Sequence, residues 1–244
     1  MTDAPDGSVQ PARPQTRLTD DGRRMREVLS YARRSARLSD GQQQAWERQR
    51  ERWWLSPETV QAPGFTWAGA FGRDAALLVE IGSGVGEATV AVAERHPDHN
   101  VLALEVWLPG VAQTMLRMER AGVDNVRLCG LDAVWAMDHL FAAGSIDELL
   151  TFFPDPWPKK KHHKRRLLQP AFVARAASRL RAGATWRLAT DWPDYAEQIA
   201  EVLGAEPLLE GGAVERWETR PVTRFERRGI EAGRPIADFA YRRR

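Results

Sequence analysis

In Phe153-Pro154-Asp155-Pro156-Trp157, one carboxylate stands between two prolines and two aromatic rings. Proline fixes its own φ and biases the residue before it toward extended backbone, so the spacing predicts a rigid, extended loop that presents Asp155. Phe153 and Trp157 offer ring faces on which a planar heterocycle can stack. Residues 159–166 follow without a break in basic character: Lys159, Lys160, Lys161, His162, His163, Lys164, Arg165 and Arg166. Beside a carboxylate site, such charge suits the neutralisation of phosphates. A targeting tag would explain the same composition, but it would be oddly placed between a strand and its crossover helix.

A second set of chemical residues lies upstream. Val79-Glu80-Ile81-Gly82-Ser83-Gly84-Val85-Gly86 puts a glycine-rich turn between a strand pattern and a helix pattern, where the missing Cβ atoms allow the backbone to approach a ligand. Glu105 closes the next strand pattern and suits the two hydroxyls of a ribose. The dinucleotide fingerprint requires G-x-G-x-x-G, with a pyrophosphate on the helix N-terminus. Here the spacing is G-x-G-x-G, and Glu87 occupies the third-glycine position. A carboxylate beside a pyrophosphate is unfavourable, whereas a cationic sulfonium such as S-adenosylmethionine suits an acidic site. Asp132, after a third strand pattern, is placed to accept from an adenine amine and equally to cap the helix beginning at Ala133. Near the C-terminus, Ala189-Thr190-Asp191-Trp192 supplies another acid and ring. The segment Arg220-Pro221-Val222-Thr223-Arg224-Phe225-Glu226 mixes charges and an aromatic in a stretch that reads as too polar for core.

These residues need a sheet to align them. Apolar runs at 75–81, 100–105, 125–129, 146–153 and 185–190 alternate with amphipathic stretches near 87–95, 108–121, 133–142, 166–181 and 194–204, and 236–242 reads as a last strand. That alternation predicts an α/β domain with a mostly parallel sheet and helices on both faces. Residues 1–20 are too poor in apolar groups to form a core and read as a disordered tail. Residues 21–55 read as an Arg-rich helical extension lying across the main domain, 56–244.

Formal net charge is only +2, but it is unevenly spread. Residues 55–158 carry 14 acids against 5 Lys/Arg, residues 11–54 carry 11 Arg against 6 acids, and residues 216–244 carry 9 Arg against 4 acids. That asymmetry fits a polyanionic partner. The single cysteine, Cys129, excludes an internal disulfide and any multi-cysteine metal cluster, so no metal is expected and a reducing, cytoplasmic setting is. No apolar run approaches the length of a membrane span.

Taken together, these motifs resemble the bacterial tRNA (guanine-N7-)-methyltransferase family. The similarity in order and spacing runs from about Arg24 to the C-terminus. It is carried by the Phe-Pro-Asp-Pro-Trp motif with its basic run, the Ala-Thr-Asp-Trp motif and the Thr-Arg-Phe-Glu motif. The resemblance implies a Rossmann-like class I fold with seven strands, the last antiparallel, working on tRNA as a monomer or homodimer with S-adenosylmethionine as cofactor. Glu80, Gly82, Gly84, Gly86, Glu105, Asp132 and Asp155 are then the cofactor site, and Asp155 is also the catalytic residue. Substrate-binding positions fall at Lys159, Asp191, Thr223, Arg224, Phe225 and Glu226. RNA contact falls at Lys161, His162, His163, Lys164, Arg165 and Arg166. The implied product is 7-methylguanosine at variable-loop position 46. Pro158 departs from members with His between the Trp and the Lys, which bears on how Lys159 is aimed. A nicotinamide-dependent oxidoreductase would share the glycine loop and Glu105, but none of the three tyrosines, Tyr31, Tyr195 and Tyr241, has a lysine four residues on. A catalytically silent RNA-binding protein of the same fold would be set apart by failing to bind the cofactor.

Overall fold

The computed structural model describes residues 29–31 and 35–244. The expected tail and most of the first part of the Arg-rich extension, 21–34, therefore lie outside the described residues. The chain then runs through α1 (Asp40–Trp53), β1 (Trp54–Leu55), α2 (Pro57–Val60), α3 (Trp67–Phe71), β2 (Leu77–Ile81), α4 (Glu87–Arg95), β3 (Asn100–Leu104), α5 (Leu108–Ala121), β4 (Val126–Cys129), α6 (Ala133–His139) and β5 (Ile146–Phe152). A 3-10 segment (Lys160–Arg165) follows, then α7 (Pro170–Arg179), β6 (Leu180–Thr190), α8 (Pro193–Gly204), β7 (Leu209–Val214), α9 (Arg224–Glu231) and β8 (Ala237–Arg243).

The strands form one sheet in the order β1-β4-β3-β2-β5-β6-β8-β7. Pairing is parallel from β1 through β6, and β8 runs antiparallel between β6 and β7. All five residues of β2 are buried, as expected of a central strand covered on both faces. Alternate residues feed two cores. Val79, Leu102 and Leu149 pack with Met137, Val173 and Ile199 of α6, α7 and α8, while Leu78, Val101 and Leu150 pack with Trp46, Val92 and Met115 of α1, α4 and α5. From β2 the winding proceeds outward to β3 and β4 on one side and to β5 and β6 on the other, and ligands bind at the carboxyl ends flanking such a switch point.

Three expectations are corrected. The sheet has eight strands, because Trp54–Leu55 adds a short parallel edge beside β4. β7 is absent from the sequence reading, since Leu209-Glu210-Gly211-Gly212-Ala213-Val214 has two central glycines, no aromatic residue and only Val214 of the β-branched kind that marks strands. At Gly211, with φ 147°, a Cβ would lie 2.1 Å from the Ala240 carbonyl oxygen, so only glycine fits against β8. The helix expected at 166–181 begins instead at Pro170, the first-turn position where proline's missing N–H costs nothing. Within the extension, α1 is tied to the domain: Trp53 Nε1 donates to Asp124 at 2.9 Å, and Gln42 Nε2 donates to the Pro109 carbonyl at 3.1 Å.

Candidate active site

At the end of β2 the chain turns through Gly82, Gly84 and Gly86, with φ of 73°, 59° and 77°. The three glycines serve different needs. A Cβ on Gly82 would meet nothing within 4 Å, and one on Gly84 would lie 3.6 Å from the Phe225 ring. One on Gly86 would strike the Thr114 side chain at 2.4 Å. Gly86, expected as a ligand contact, thus exists for the packing of α4 on α5 and does not line the main cleft.

Glu105 emerges from β3 with both oxygens anchored: Oε2 accepts from the Gly84 amide and Oε1 from the Trp107 amide, each at 2.7 Å. Asp132 caps α6 through Oδ1, which accepts from Val134 and Trp135, leaving Oδ2 outside the cap; burial pushes its carboxyl above the usual range. Glu80 is set deeper. It is 2% exposed and takes a 2.5 Å hydrogen bond from Thr89 Oγ1. Burial raises its pKa to about 7, with Thr89 pulling down and Glu105 pushing up. Its carboxylate borders a small side cavity with Ser83, Glu87 and Thr223.

The loop after β5 carries a left-handed residue on each side of its Pro-Asp-Pro centre, which the sequence did not signal. Phe153 and Trp157 both adopt left-handed backbone, φ 52° and 44°, on either side of Pro154-Asp155-Pro156. Bulky residues rarely tolerate this region, at a cost of roughly 1–3 kcal/mol each, and such strain persists only where the surroundings hold it. Here the Phe153 amide donates to the Ala189 carbonyl at 2.7 Å, and the Arg220 guanidinium lies 5.4 Å from the Phe153 ring. Trp157 Nε1 donates to the Ser30 carbonyl at 3.0 Å, and Arg165 lies over its ring at 4.4 Å. Two left-handed residues thus bracket Pro154-Asp155-Pro156, and Asp155 lines the cleft.

That cleft opens at the carboxyl ends of the parallel strands, where ligands bind in such sheets. Its walls bring together Gly82, Gly84, Glu105, Asp132, Asp155 and Phe225, from four strand ends and α9. The sequence reading missed Ser30 and Tyr31, which also line it. The Ser30 carbonyl accepts from Trp157 Nε1, and the Ser35 carbonyl accepts from Trp107 Nε1 at 2.8 Å. Only the isolated tyrosine among arginines hinted at this.

The C-terminal motif is corrected in one respect: it is partly core. Arg220 is fully buried, its Nη1 2.6 Å from Glu226 Oε2 and its Nη2 2.9 Å from Asp238 Oδ2. Glu226, expected at the substrate, is 2% exposed, and its Oε1 also accepts from Arg216. Thr223 caps α9 by accepting from the Glu226 amide. Phe225 alone of the four expected residues lines the main cleft. Asp191 is half-buried beside the Trp192 turn, and its Oδ2 accepts two hydrogen bonds from Arg234.

In the basic run, Lys159, Lys161 and Lys164 are exposed, and His162, His163 and Arg165 are half-exposed. Arg166 faces inward, contrary to its expected place on the RNA side. It is 3% exposed, and its Nη2 donates to both oxygens of Asp194 at 2.9 Å. Among the described residues no cluster of side chains could hold a metal, and no helix is long and apolar enough to cross a membrane.

A family model described as "Putative methyltransferase" matches residues 74–239. A tRNA (guanine-N(7)-)-methyltransferase of Nocardioides sp. is 63% identical over 99% of this chain and 97% of its own length. The enzyme of the same name from Cutibacterium acnes is 45% identical over 89% of this chain and 84% of its own. Two solved structures share the fold. The 16S rRNA methyltransferase KamB has TM-score 0.51 and 17% identity, covering 90% of this chain and 99% of its own. A 16S rRNA (adenine(1408)-N(1))-methyltransferase from Catenulisporales acidiphilia has TM-score 0.50 and 15% identity, covering 72% and 89%. With near-complete coverage in both directions and the class I strand order around the glycine cleft, the chain belongs to the tRNA (guanine-N7-)-methyltransferase family.

Proposed function

We propose that the protein transfers a methyl group from S-adenosylmethionine to N7 of a guanine in tRNA, and that the guanine is the variable-loop base at position 46 that the family resemblance implies. The observation that carries this reading is Asp155 in the same cleft as Gly82, Gly84, Glu105 and Asp132, with an exposed basic run beginning four residues farther on.

The cleft fits the cofactor chemically. Glu105 is held at the end of β3 by two backbone amides, where its carboxylate suits ribose hydroxyls, and Asp132 Oδ2 offers a lone pair to an adenine amine. Gly82 leaves open space for a close backbone approach, and Glu80 adds acidity below. When bound, S-adenosylmethionine supplies a methyl group on a cationic sulfonium.

Guanine N7 has a lone pair and no proton, so the protein needs no general base. Its tasks are positioning, worth up to about 7–11 kcal/mol, and stabilising the positive charge that grows on the guanine. Asp155 does the second. Phe225 and the rings beside Asp155 provide stacking surfaces. Lys159, Lys161, His162, His163, Lys164 and Arg165 receive the phosphate backbone. Asp191, Arg224 and Thr223 belong to the guanine side as positioning groups, and Glu226 and Arg166 act from inside the fold.

The test is to incubate the protein with unmodified tRNA and methyl-labelled cofactor, digest the RNA and identify the labelled nucleoside. Labelled 7-methylguanosine, lost when the transcript carries adenine at position 46, is expected. Labelling that survives that change refutes the position, and an unlabelled tRNA refutes the substrate.

A further inference from the structure

Glu87, the residue in the third-glycine position, has no ligand role in the reading above, yet its carboxylate meets three groups beside the loop. It opens α4 directly after Gly86, and its side chain is 14% exposed. Oε2 accepts from the backbone amide of Arg224, the first residue of α9, at 2.6 Å. Oε1 accepts from Arg227 Nη2 at 2.9 Å and lies 3.7 Å from Arg117 Nη2. The carboxylate thus sits between the N-termini of two helices, where the helix dipoles favour negative charge, and satisfies an orphan donor of α9 that no residue of α9 itself reaches.

We propose that Glu87 is a positioning residue for the guanine side of the reaction: a latch that fixes the start of α9 against the glycine loop. What the latch sets is the place of Phe225, one residue past the bound amide. Phe225 lines the main cleft and the side cavity, and its ring reaches within 3.6 Å of where a Gly84 Cβ would be. Thr223 supplies the local cap of α9, and the buried Arg220–Glu226 pair holds the inner side of the helix. Glu87 ties the start of the helix to the loop by a hydrogen bond and an ion pair, beside the contact that the Phe225 ring makes with Gly84. The carboxylate faces the cations Arg117 and Arg227 and the Arg224 amide, so a neutral amide in its place keeps the backbone bond and loses both ion pairs.

The inference rests on the proposed tRNA activity, so wild-type methylation of tRNA is the first control; its failure would overturn that activity and not the latch. Given an active wild type, Glu87→Ala, Glu87→Gln and Arg227→Ala are compared by cofactor titration without RNA, by kcat and KM for tRNA, and by amide hydrogen exchange of peptides spanning 221–231. The latch predicts that Glu87→Ala changes cofactor Kd less than twofold, lowers kcat/KM for tRNA at least tenfold and speeds exchange at the start of α9. Glu87→Gln should recover most of the exchange protection, and Arg227→Ala should lower kcat/KM about threefold. Should Glu87→Ala not fold, the other two variants carry the test. A cofactor Kd raised tenfold with KM for tRNA unchanged would make Glu87 a cofactor ligand. Exchange and kcat/KM both within twofold of wild type would make the contact incidental. Either result overturns the proposal.

Discussion

At the scale of single residues, the cleft separates groups that act on bound molecules from groups that hold those residues in place. Asp155 belongs to the first kind. Asp155→Asn removes a charge aimed at a developing cation, and a loss of roughly 10²-fold in kcat is expected, measured in single-turnover methyl transfer with cofactor affinity checked separately. Glu80 carries a pH signature. Its folded pKa, about 7, lies above the ordinary 4.5, so the folded state binds the proton more tightly than the unfolded chain. Stability is therefore full below pH 4.5 and falls as pH rises to about 7, by an amount of order 3 kcal/mol. Chemical denaturation of Glu80→Gln across this window should show the fall flattened; an unchanged slope would assign it to other groups. The acids at strand ends were legible in the sequence because strand ends in such folds are where ligands lie. Glu226 and Arg166 were not. Composition gives no sign of which of many arginines turns inward, and a carboxylate three residues from a cap looks the same whether it faces solvent or a buried guanidinium.

At the scale of elements, the site depends on how α4, α5 and α9 meet the loop after β2. A Cβ on Gly110, in the first turn of α5, would lie 2.2 Å from the Gly84 carbonyl oxygen, and backbone cannot yield as a side chain can. Gly110→Ala is expected to cost about 1–3 kcal/mol through overpacking and to weaken cofactor binding by displacing Gly84. Gly41, in α1 with nothing within 4 Å of its Cβ position, is the contrasting case; there alanine should stabilise by about 0.5–1 kcal/mol. Thermal denaturation of both variants, with a cofactor titration of the first, checks the pair. The inner face of α9 hangs on Arg220, and Arg220→Ala, by stranding the Glu226 and Asp238 carboxylates, should destabilise by about 3–5 kcal/mol. The parallel strands were readable from their apolar runs. β7 and the left-handed bends at Phe153 and Trp157 were not, because each is imposed by a distant partner: the β8 backbone for one, the Ala189 carbonyl, Arg220 and Ser30 for the others.

At the scale of the molecule, charge is sorted by use: acids line the cleft, and an exposed basic run follows Asp155 along the chain. If the exposed lysines receive phosphates, each one lost should lower the slope of log K against log salt by about 1. The variant with Lys160, Lys161 and Lys164 all changed to Ala should bind tRNA with a slope smaller by about 3 and with unaltered cofactor affinity, which filter binding across a salt series would measure. An unchanged slope would place the phosphate track elsewhere. The capture of two indole N–H groups by the carbonyls of Ser30 and Ser35 has a further use. Trp107 lines the cleft and Trp157 ends the loop that carries Asp155, so loss of either bond alters the polarity around an intrinsic fluorophore. Their emission offers an unlabelled optical signal for the release of either bond, and a Trp107→Phe and Trp157→Phe pair followed by stopped flow would assign that signal to one side or the other.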